Sequence, residues 1–179
     1  MNFKELQLPL SKAEAHQLHV GDACRLTGVV YVLRDAGHAR LLSEINKDDV
    51  LPYDLNGQTI FYGAPTPSKG GRPFGAFGPT TASRMDFATP TLYAKGLTAT
   101  IGAGKRSAEV HRACKDYSSV YFVCPAECAA LLATCVVSDE VVAYDDLGAE
   151  AMRRVEVKDL PVFVGIDAEG NDIYDLKAE

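Results

Sequence analysis

Residues 75 to 86 read Gly-Ala-Phe-Gly-Pro-Thr-Thr-Ala-Ser-Arg-Met-Asp, and the rest of the chain is organised around this segment. Its glycines permit backbone conformations with positive φ and a close approach of a ligand to the main chain. Pro79 fixes its own φ, and Thr80 and Thr81 are residue types that begin helices. The start of a helix offers unpaired N–H groups to an anion, and Arg84 can hold a carboxylate with two hydrogen bonds. The segment therefore indicates either a binding turn for a carboxylate or phosphate, or an ordinary capped turn with a solvated arginine.

Composition and charge narrow the class of protein. The chain has 179 residues, 47% of them hydrophobic and 23% charged, which is typical of a soluble globular protein with one domain over residues 1–179. A formal net charge of −6 argues against a nucleic-acid or anionic-membrane partner, which would require a basic face. No segment approaches the roughly 20 apolar residues that span a bilayer, and the N-terminal residues lack the apolar core of a signal peptide. We therefore expect a cytoplasmic protein.

The cysteine pattern favours structural thiols. The five cysteines are Cys24, Cys114, Cys124, Cys128 and Cys135. An odd number in a chain without a secretion signal argues against a disulfide framework. Cys124 and Cys128 lie four residues apart, unlike the C-x-x-C pattern of zinc sites and redox pairs. Cys24 and Cys135 lie in apolar, strand-like runs, where a free cysteine usually acts as a small buried hydrophobic residue. The sequence thus predicts no metal site and no iron–sulfur cluster on this chain.

Strand-like and helix-like runs alternate along the chain, which predicts an α/β domain. Gly63 to Pro79 is too rich in glycine and proline for a regular element, but Phe74 and Phe77 favour an ordered loop. The predicted strands are 6–10, 23–33, 59–62, 98–101, 120–123, 135–144, 153–157 and 161–166. The predicted helices are 11–18, 36–45 with Asp35 as its cap, 90–95, 107–115 and 126–133.

Three blocks of sequence carry a family signature. Residues 62–86 include Gly-Pro-Thr-Thr-Ala-Ser-Arg-Met-Asp, and residues 21–38 end in Arg-Asp-Ala-Gly-His. Residues 144–151 and 166–174 make up the third block. These blocks resemble the C-terminal domain of class I (iron–sulfur) fumarate hydratases. The same domain occurs as the separate β subunit of two-subunit fumarases and L-tartrate dehydratases. The resemblance covers nearly the whole chain and implies a swivelling β/β/α three-layer domain, which the pattern alone does not distinguish from an ordinary three-layer sandwich.

The resemblance also implies a reaction and a partner. Members are hydro-lyases that interconvert fumarate and malate, or dehydrate tartrate or a similar hydroxy-dicarboxylate. Their Lewis acid is a 4Fe–4S cluster whose cysteine ligands lie in the other domain or in the α subunit. This chain would then be a β subunit that is active only in a hetero-oligomer with the cluster-bearing α subunit, with a homodimer of this chain as a further assembly.

Three residues are the principal site candidates. Arg34 ends a hydrophobic strand, so its side chain is expected at a sheet edge, where α/β proteins bind ligands; the alternative is a surface arginine. The resemblance matches Arg34 and Arg84 to arginines that bind substrate carboxylates. It assigns substrate contact and proton transfer to Thr80, whose hydroxyl is a weak base that would need activation by a group on the partner.

Further residues would support the site. Thr81 and Lys105 are candidates for substrate contact, and His38 and Asp86 for ordering the neighbouring groups. Asp86 could equally be a helix-surface carboxylate.

Two departures from the family pattern leave the reaction open. Relatives place a substrate-binding lysine where this chain has Ala103, and Lys105 could replace it only along a different loop path. Relatives also carry paired glycines where this chain has Ala126 and Glu127. The alternative to an enzyme is therefore a non-catalytic module of the same fold that binds a dicarboxylate or a partner. A swivelling domain of the aconitase type matches the quoted residues less well.

Overall fold

The computed structural model describes residues 2–176, and seven β-strands alternate there with five α-helices. The strands are Lys4–Gln7 (β1), Ala23–Val32 (β2), Thr59–Phe61 (β3), Ala99–Gly102 (β4), Val120–Val123 (β5), Val136–Ala143 (β6) and Met152–Ile166 (β7). The α-helices are Lys12–His16 (α1), Asp35–Asn46 (α2), Thr89–Ala94 (α3), Ala108–Tyr117 (α4) and Ala129–Ala133 (α5). Short 3₁₀ helices span Ala82–Met85, Ala126–Cys128, Asp145–Glu150 and Ile173–Asp175. The predicted α/β class is confirmed.

The sheet closes on itself through its longest strand. The strand order is β1-β2-β3-β4-β5-β7-β6, and β7 also pairs with β2. Strands β2 to β5 run parallel, whereas β7 is antiparallel to both β2 and β5. Five strands therefore form a ring, and β1 and β6 attach to β2 and β7. Because β2 to β5 are parallel, their carboxyl-terminal ends lie at one edge.

Alternate residues of the ring strands enter two hydrophobic cores. One core draws on all five ring strands and includes Val30, Phe61 and Phe122. The other contains Tyr31, Tyr121 and residues of α2, α3 and α4, so these three helices pack on that face of the sheet. Phe74 and Phe77 of the glycine-rich loop are buried in the first core, which confirms the prediction of an ordered loop. Among the residues from 2 to 176, no helix has both the length and the apolar character that a membrane crossing requires.

The structure corrects the prediction that Asp35 caps α2. Asp35 is the first helical residue, and the capping position belongs to Arg34, whose side chain makes no capping hydrogen bond. The N–H of Ala36 donates instead to Oε1 of Glu150 at 3.2 Å. A carboxylate from a distant segment thus takes the role expected of Asp35, whose own carboxylate turns towards arginines.

Two boundary predictions were also wrong. The predicted strands 153–157 and 161–166 form a single strand, β7, because Pro161 lies between the part of β7 paired with β6 and the part paired with β5. The lack of an N–H at Pro161 therefore costs no hydrogen bond to β5 or β6. The first strand is residues 4–7 and not 6–10, since Pro9 cannot donate to a ladder. Thr81 precedes the 3₁₀ helix without a side-chain capping bond.

Substituting Gly28 by alanine should destabilise the fold by about 3 kcal/mol, through backbone strain and a steric clash. Gly28 has φ +135°, and a Cβ there would lie 2.7 Å from the carbonyl oxygen of Leu8. Gly21→Ala is the matched control, because Gly21 has φ +87° but an added Cβ there would meet no described residue within 4 Å beyond its chain neighbours. Urea denaturation should show a loss at least about 1 kcal/mol greater for Gly28→Ala. Equal losses would show that the contact with Leu8 costs nothing.

Candidate active site

The candidate site lies at the carboxyl-terminal edge of the parallel strands β2, β3 and β4. Arg34 follows β2, and backbone hydrogen bonds hold Thr80 between the ends of β3 and β4. The N–H of Thr80 donates to the carbonyl of Tyr62 at 2.8 Å, and the N–H of Ala103 donates to the carbonyl of Thr80 at 3.1 Å. In α/β barrels, as in open α/β sheets, ligands bind beyond the carboxyl-terminal edge of the parallel strands. Strands β3 and β4 thus hold Thr80 at the edge where a ligand would bind.

Arg84 joins Thr80 to a second arginine through Asp35. The 3₁₀ helix after Thr81 directs the Arg84 guanidinium back, and its Nη2 donates to Thr80 Oγ1 at 2.7 Å. Its Nε lies 3.2 Å from Oδ2 of Asp35, and Oδ1 of the same carboxylate lies 3.8 Å from Nε of Arg34. Arg34, Asp35, Thr80 and Arg84, called the arginine cluster below, are therefore neighbours. Thr81 is exposed beside them.

The arginine cluster is open to solvent. The side chains of Arg34, Asp35 and Arg84 are 34%, 41% and 44% exposed. The Nε of Arg34 is nevertheless buried and makes no hydrogen bond within residues 2–176. Two guanidiniums on an open edge can hold a carboxylate with charge-assisted hydrogen bonds. The Thr80 hydroxyl, which is hydrogen-bonded to the Arg84 guanidinium, can face the same ligand.

His38 supports Arg34 from the buried side. Its Nδ1 lies 2.8 Å from the carbonyl oxygen of Arg34, which can only accept, so Nδ1 carries the proton. The ring is fully buried and packs edge-on against Tyr62, with ring centroids 5.3 Å apart. Burial lowers the pKa of His38 to about 4, so the ring is neutral at pH 7. Its Nε2 has no hydrogen-bond partner in the described part of the chain.

The buried, neutral state of His38 should make stability depend on pH. The unfolded imidazole has a pKa of 6.5 and the folded one of about 4, so the unfolded chain binds more protons between these values. This contribution is complete above pH 6.5 and is lost as the pH falls towards 4, by about 3 kcal/mol. Denaturation of the protein and of His38→Asn at pH 7.5 and pH 4.5 should show a smaller decrease in the variant. Equal decreases would exclude a depressed pKa at His38.

Asp86 orders the neighbouring loop through an arginine that the sequence analysis missed. Its Oδ1 accepts from Nε of Arg106 at 2.6 Å, and its Oδ2 accepts from the N–H of Ser107 at 2.7 Å. The Arg106 side chain is fully buried, and its Nη2 donates to Tyr62 at 3.0 Å and to Thr89 at 2.8 Å. Asp86 thus ties the Thr80–Arg84 turn to the loop that follows β4. An arginine beside a glycine turn gives no sequence signal of burial, since most arginines are solvated.

The loop after β4 presents Ala103 towards the site and Lys105 to solvent. Ala103 pairs with Thr81 as an isolated bridge, and Lys105 is exposed. The hydroxyl of Tyr121 donates to the carbonyl of Gly104 at 2.8 Å, which fixes the path of the loop. Ligand contact by Lys105 stays a prediction. A cavity of about 310 Å³ adjoins the loop and is lined by Ala103, Gly104, Val123, Cys124, Pro125, Ala126, Glu127, Phe163 and Tyr174.

Two buried cysteines, Cys24 and Cys124, do not present the thiolates that hold iron–sulfur clusters. Burial raises the pKa of Cys24 to about 11 and that of Cys124 to about 12, which keeps both as thiols. Over residues 2–176, the one group of three potential metal ligands within 4.8 Å of one another is His111, Asp172 and Asp175, which contains no cysteine.

Residues 2–177 match the family model described as Fumarase C-terminus. The chain belongs to this family. Among similar proteins, the anaerobic class I fumarate hydratase of Escherichia coli K12 is 36% identical over 174 residues, which are 95% of this chain but 32% of that relative. The putative L(+)-tartrate dehydratase subunit beta of Methanocaldococcus jannaschii is 34% identical over 172 residues, 93% of this chain and 88% of that relative. The L(+)-tartrate dehydratase subunit beta of Escherichia coli K12 is 33% identical, with 95% and 86% covered.

The fraction of each relative's length that the match covers separates these members of the fumarase C-terminus family into two groups. The chain spans about a third of the length of the fumarate hydratases and nearly the full length of the two tartrate dehydratase beta subunits.

Proposed function

We propose that this chain is the β subunit of a hydro-lyase that interconverts fumarate and malate, or dehydrates tartrate or a similar hydroxy-dicarboxylate. The observation that carries the proposal is the arginine cluster, which places a hydroxyl 2.7 Å from a guanidinium at the carboxyl edge of the sheet. Membership of the fumarase C-terminus family and the nearly full-length match to two beta subunits support it.

Three residues of the arginine cluster have a part in the proposed reaction. Arg34 and Arg84 bind substrate carboxylate through their terminal nitrogens. Because the Thr80 hydroxyl is a weak base by itself, a group on the partner chain would first accept its proton, and the Arg84 guanidinium stabilises the resulting Oγ1 alkoxide. Oγ1 then takes the proton from the substrate carbon, the C–H electron pair forms the C=C bond, and the neighbouring C–O bond breaks with loss of hydroxide. The 4Fe–4S cofactor would supply the Lewis acid for that leaving group. Thr81 and Lys105 are proposed to contact the substrate, whereas His38 and Asp86 hold the surrounding backbone.

Two observations support a partner chain at this site: the exposure of the arginine cluster and the chemistry of the cysteines. A dry site strengthens electrostatic contacts, so a cluster that is about 40% exposed at Asp35 and Arg84 needs a covering surface. We propose that an α subunit provides this surface and carries the 4Fe–4S cofactor. The chain would act as one swivelling β/β/α domain over residues 1–179, in a cytoplasmic hetero-oligomer, with neither nucleic acid nor membrane as partner.

Anaerobic reconstitution tests the proposal. The chain is coexpressed with the cluster-bearing α subunit, and the purified pair is assayed with fumarate, L-malate, both tartrates and mesaconate. Turnover of at least one compound is expected from the pair and not from either chain alone. If a pair with an intact 4Fe–4S cofactor turned over none of these compounds, the proposal would be contradicted. Dicarboxylate binding by the chain combined with failure to associate with the α subunit would support the non-catalytic module.

Replacing Arg84 by alanine should reduce kcat/KM of the assembled pair at least about tenfold, since a lost charge-assisted contact is worth about 1.5 kcal/mol or more. Arg40→Ala is the matched control, because Arg40 is similarly exposed but binds Asp146 at 2.6 and 2.8 Å, outside the cluster. The control should retain kcat/KM within about twofold of the unmodified pair. Equal rates for the two variants would remove Arg84 from the site.

A further inference from the structure

We propose that His111, Asp172 and Asp175, called the His111 group below, bind a divalent transition-metal ion such as Zn²⁺. Each residue offers one ligand atom, and the three atoms lie within 4.8 Å of one another. Two separate segments supply them. His111 lies on α4, whereas Asp172 caps the 3₁₀ helix Ile173–Asp175 and Asp175 ends it. The proposed ion is distinct from the arginine cluster and does not depend on the proposed function.

Asp172 brings a buried carboxylate to this group. Its side chain is 2% exposed. Oδ1 accepts a hydrogen bond from the N–H of Tyr174 at 2.9 Å, and Oδ2 lies 2.6 Å from Nε2 of His111. A carboxylate buried to this degree needs a cation or well-aligned hydrogen-bond donors on its oxygens. The N–H of Tyr174 meets that need for Oδ1 only.

The contact between His111 and Asp172 is not an aligned hydrogen bond. Nε2 of His111 is buried and has no hydrogen-bond partner within residues 2–176, in spite of its short distance from Oδ2. A hydrogen bond weakens steeply when the acceptor lies away from the direction of the N–H, so Oδ2 gains little from this nitrogen. A cation shared by Nε2 and the two carboxylates would satisfy all three groups.

The charges of the His111 group also favour a cation. Asp172 and Asp175 bring two carboxylates close together, and no lysine or arginine among residues 2–176 forms an ion pair with either. Like charges at this separation repel each other, and a divalent ion offsets both. One imidazole nitrogen and two carboxylate oxygens form a ligand set that suits Zn²⁺, with a further position left for water.

The proposed ion would fix one wall of the cavity beside the candidate site. Tyr174 lies between the two aspartates in the sequence and lines the cavity of about 310 Å³ together with Ala103 and Gly104. Coordination by His111 would tie the 3₁₀ helix that contains Tyr174 to α4, so we assign the ion a structural role. The prediction that this chain has no metal site came from its cysteines, which take no part in this group.

Metal titration of the full chain tests the proposal. Protein freed of metal with a chelator is titrated with Zn²⁺ by isothermal titration calorimetry, and its melting temperature is measured with and without the ion. Saturable binding is expected. At a free Zn²⁺ concentration about 100-fold above Kd, the melting temperature should rise by roughly 5–10 °C. No saturable binding, or an excess of Zn²⁺ that does not raise the melting temperature, would overturn the proposal.

Two variants locate the ion. His111→Gln and Asp175→Asn each remove one ligand, and Asp175 is exposed, so its replacement leaves the cores intact. Each variant should weaken Zn²⁺ binding at least about tenfold. Glu169→Gln is the matched control, because it removes an exposed carboxylate from the preceding turn, outside the group, and should keep Kd within about twofold. Unchanged affinity in either ligand variant would overturn the proposal.

Cobalt distinguishes the His111 group from the cysteines. Cys128 and Cys135 are partly exposed and could bind the same ions through sulfur. Co²⁺ bound to thiolates shows intense sulfur-to-metal charge-transfer absorption, which imidazole and carboxylate ligands lack. The chain with one equivalent of Co²⁺ should show no such absorption. Its presence would assign the ion to the cysteines and overturn the proposal. None of these outcomes depends on turnover by the assembled pair.

Discussion

Thr80→Val in the assembled pair is expected to lower kcat at least about 100-fold and to change KM less than about threefold. Valine preserves the shape of threonine but removes Oγ1, which accepts the 2.7 Å hydrogen bond from Arg84. The hydroxyl is proposed to move a proton in the transition state, so its loss affects the chemical step more than binding. The Arg84 and Arg34 guanidiniums remain to hold the carboxylate. Steady-state rates with the substrate identified by the panel measure both constants.

Two further variants show whether the hydroxyl itself is responsible. Thr80→Ser restores a hydroxyl at the same position and should recover most of kcat. Ser83→Ala removes an exposed hydroxyl from the 3₁₀ helix that follows Thr80 and Thr81, outside the arginine cluster, and should leave kcat within about twofold. A Thr80→Val pair with unchanged kcat would exclude Thr80 from proton transfer.

Arg106→Met should destabilise the chain by about 3–5 kcal/mol, because it leaves the carboxylate of Asp86 largely buried without its partner. Asp86 is 13% exposed, and Arg106 also donates to Tyr62 and Thr89 within the second core. For a chain of this length, the melting temperature should fall by roughly 6–20 °C. Differential scanning calorimetry measures the change.

The double variant Arg106→Met with Asp86→Leu tests the cause. It removes both charges, so it should lose less stability than Arg106→Met alone. Arg40→Met breaks an exposed ion pair instead and should cost at most about 1 kcal/mol. If Arg106→Met were as mild as Arg40→Met, the pair between Arg106 and Asp86 would not stabilise the fold.

Much of the secondary structure could be predicted where local residues determine it. Ser11 and Ser107, the first residues of two predicted helices, cap α1 and α4 through their hydroxyls. β2 ends at Val32 because its apolar, β-branched run ends there. Local rules failed where tertiary contacts compete. Glu150, 114 residues away from Ala36, takes the capping role expected of Asp35.

The candidate site shows a similar division between local and distant information. The family blocks indicated Arg34, Thr80 and Arg84, and the structure places these side chains next to one another. No spacing rule could predict that Asp35 lies between the two arginines, since that contact depends on how α2 meets the 3₁₀ helix. Burial of Arg106 was equally hidden, because its four partners, Tyr62, Asp86, Thr89 and Thr100, come from three separate segments of the chain.

The most direct test of the central claim is a crystal structure of the assembled pair with bound succinate. One carboxylate is expected within about 3.2 Å of terminal nitrogens of both Arg34 and Arg84, with Thr80 Oγ1 facing the adjacent carbon and the second chain covering the edge of the sheet. Succinate bound out of reach of both arginines, or an interface that leaves the arginine cluster in solvent, would contradict the account.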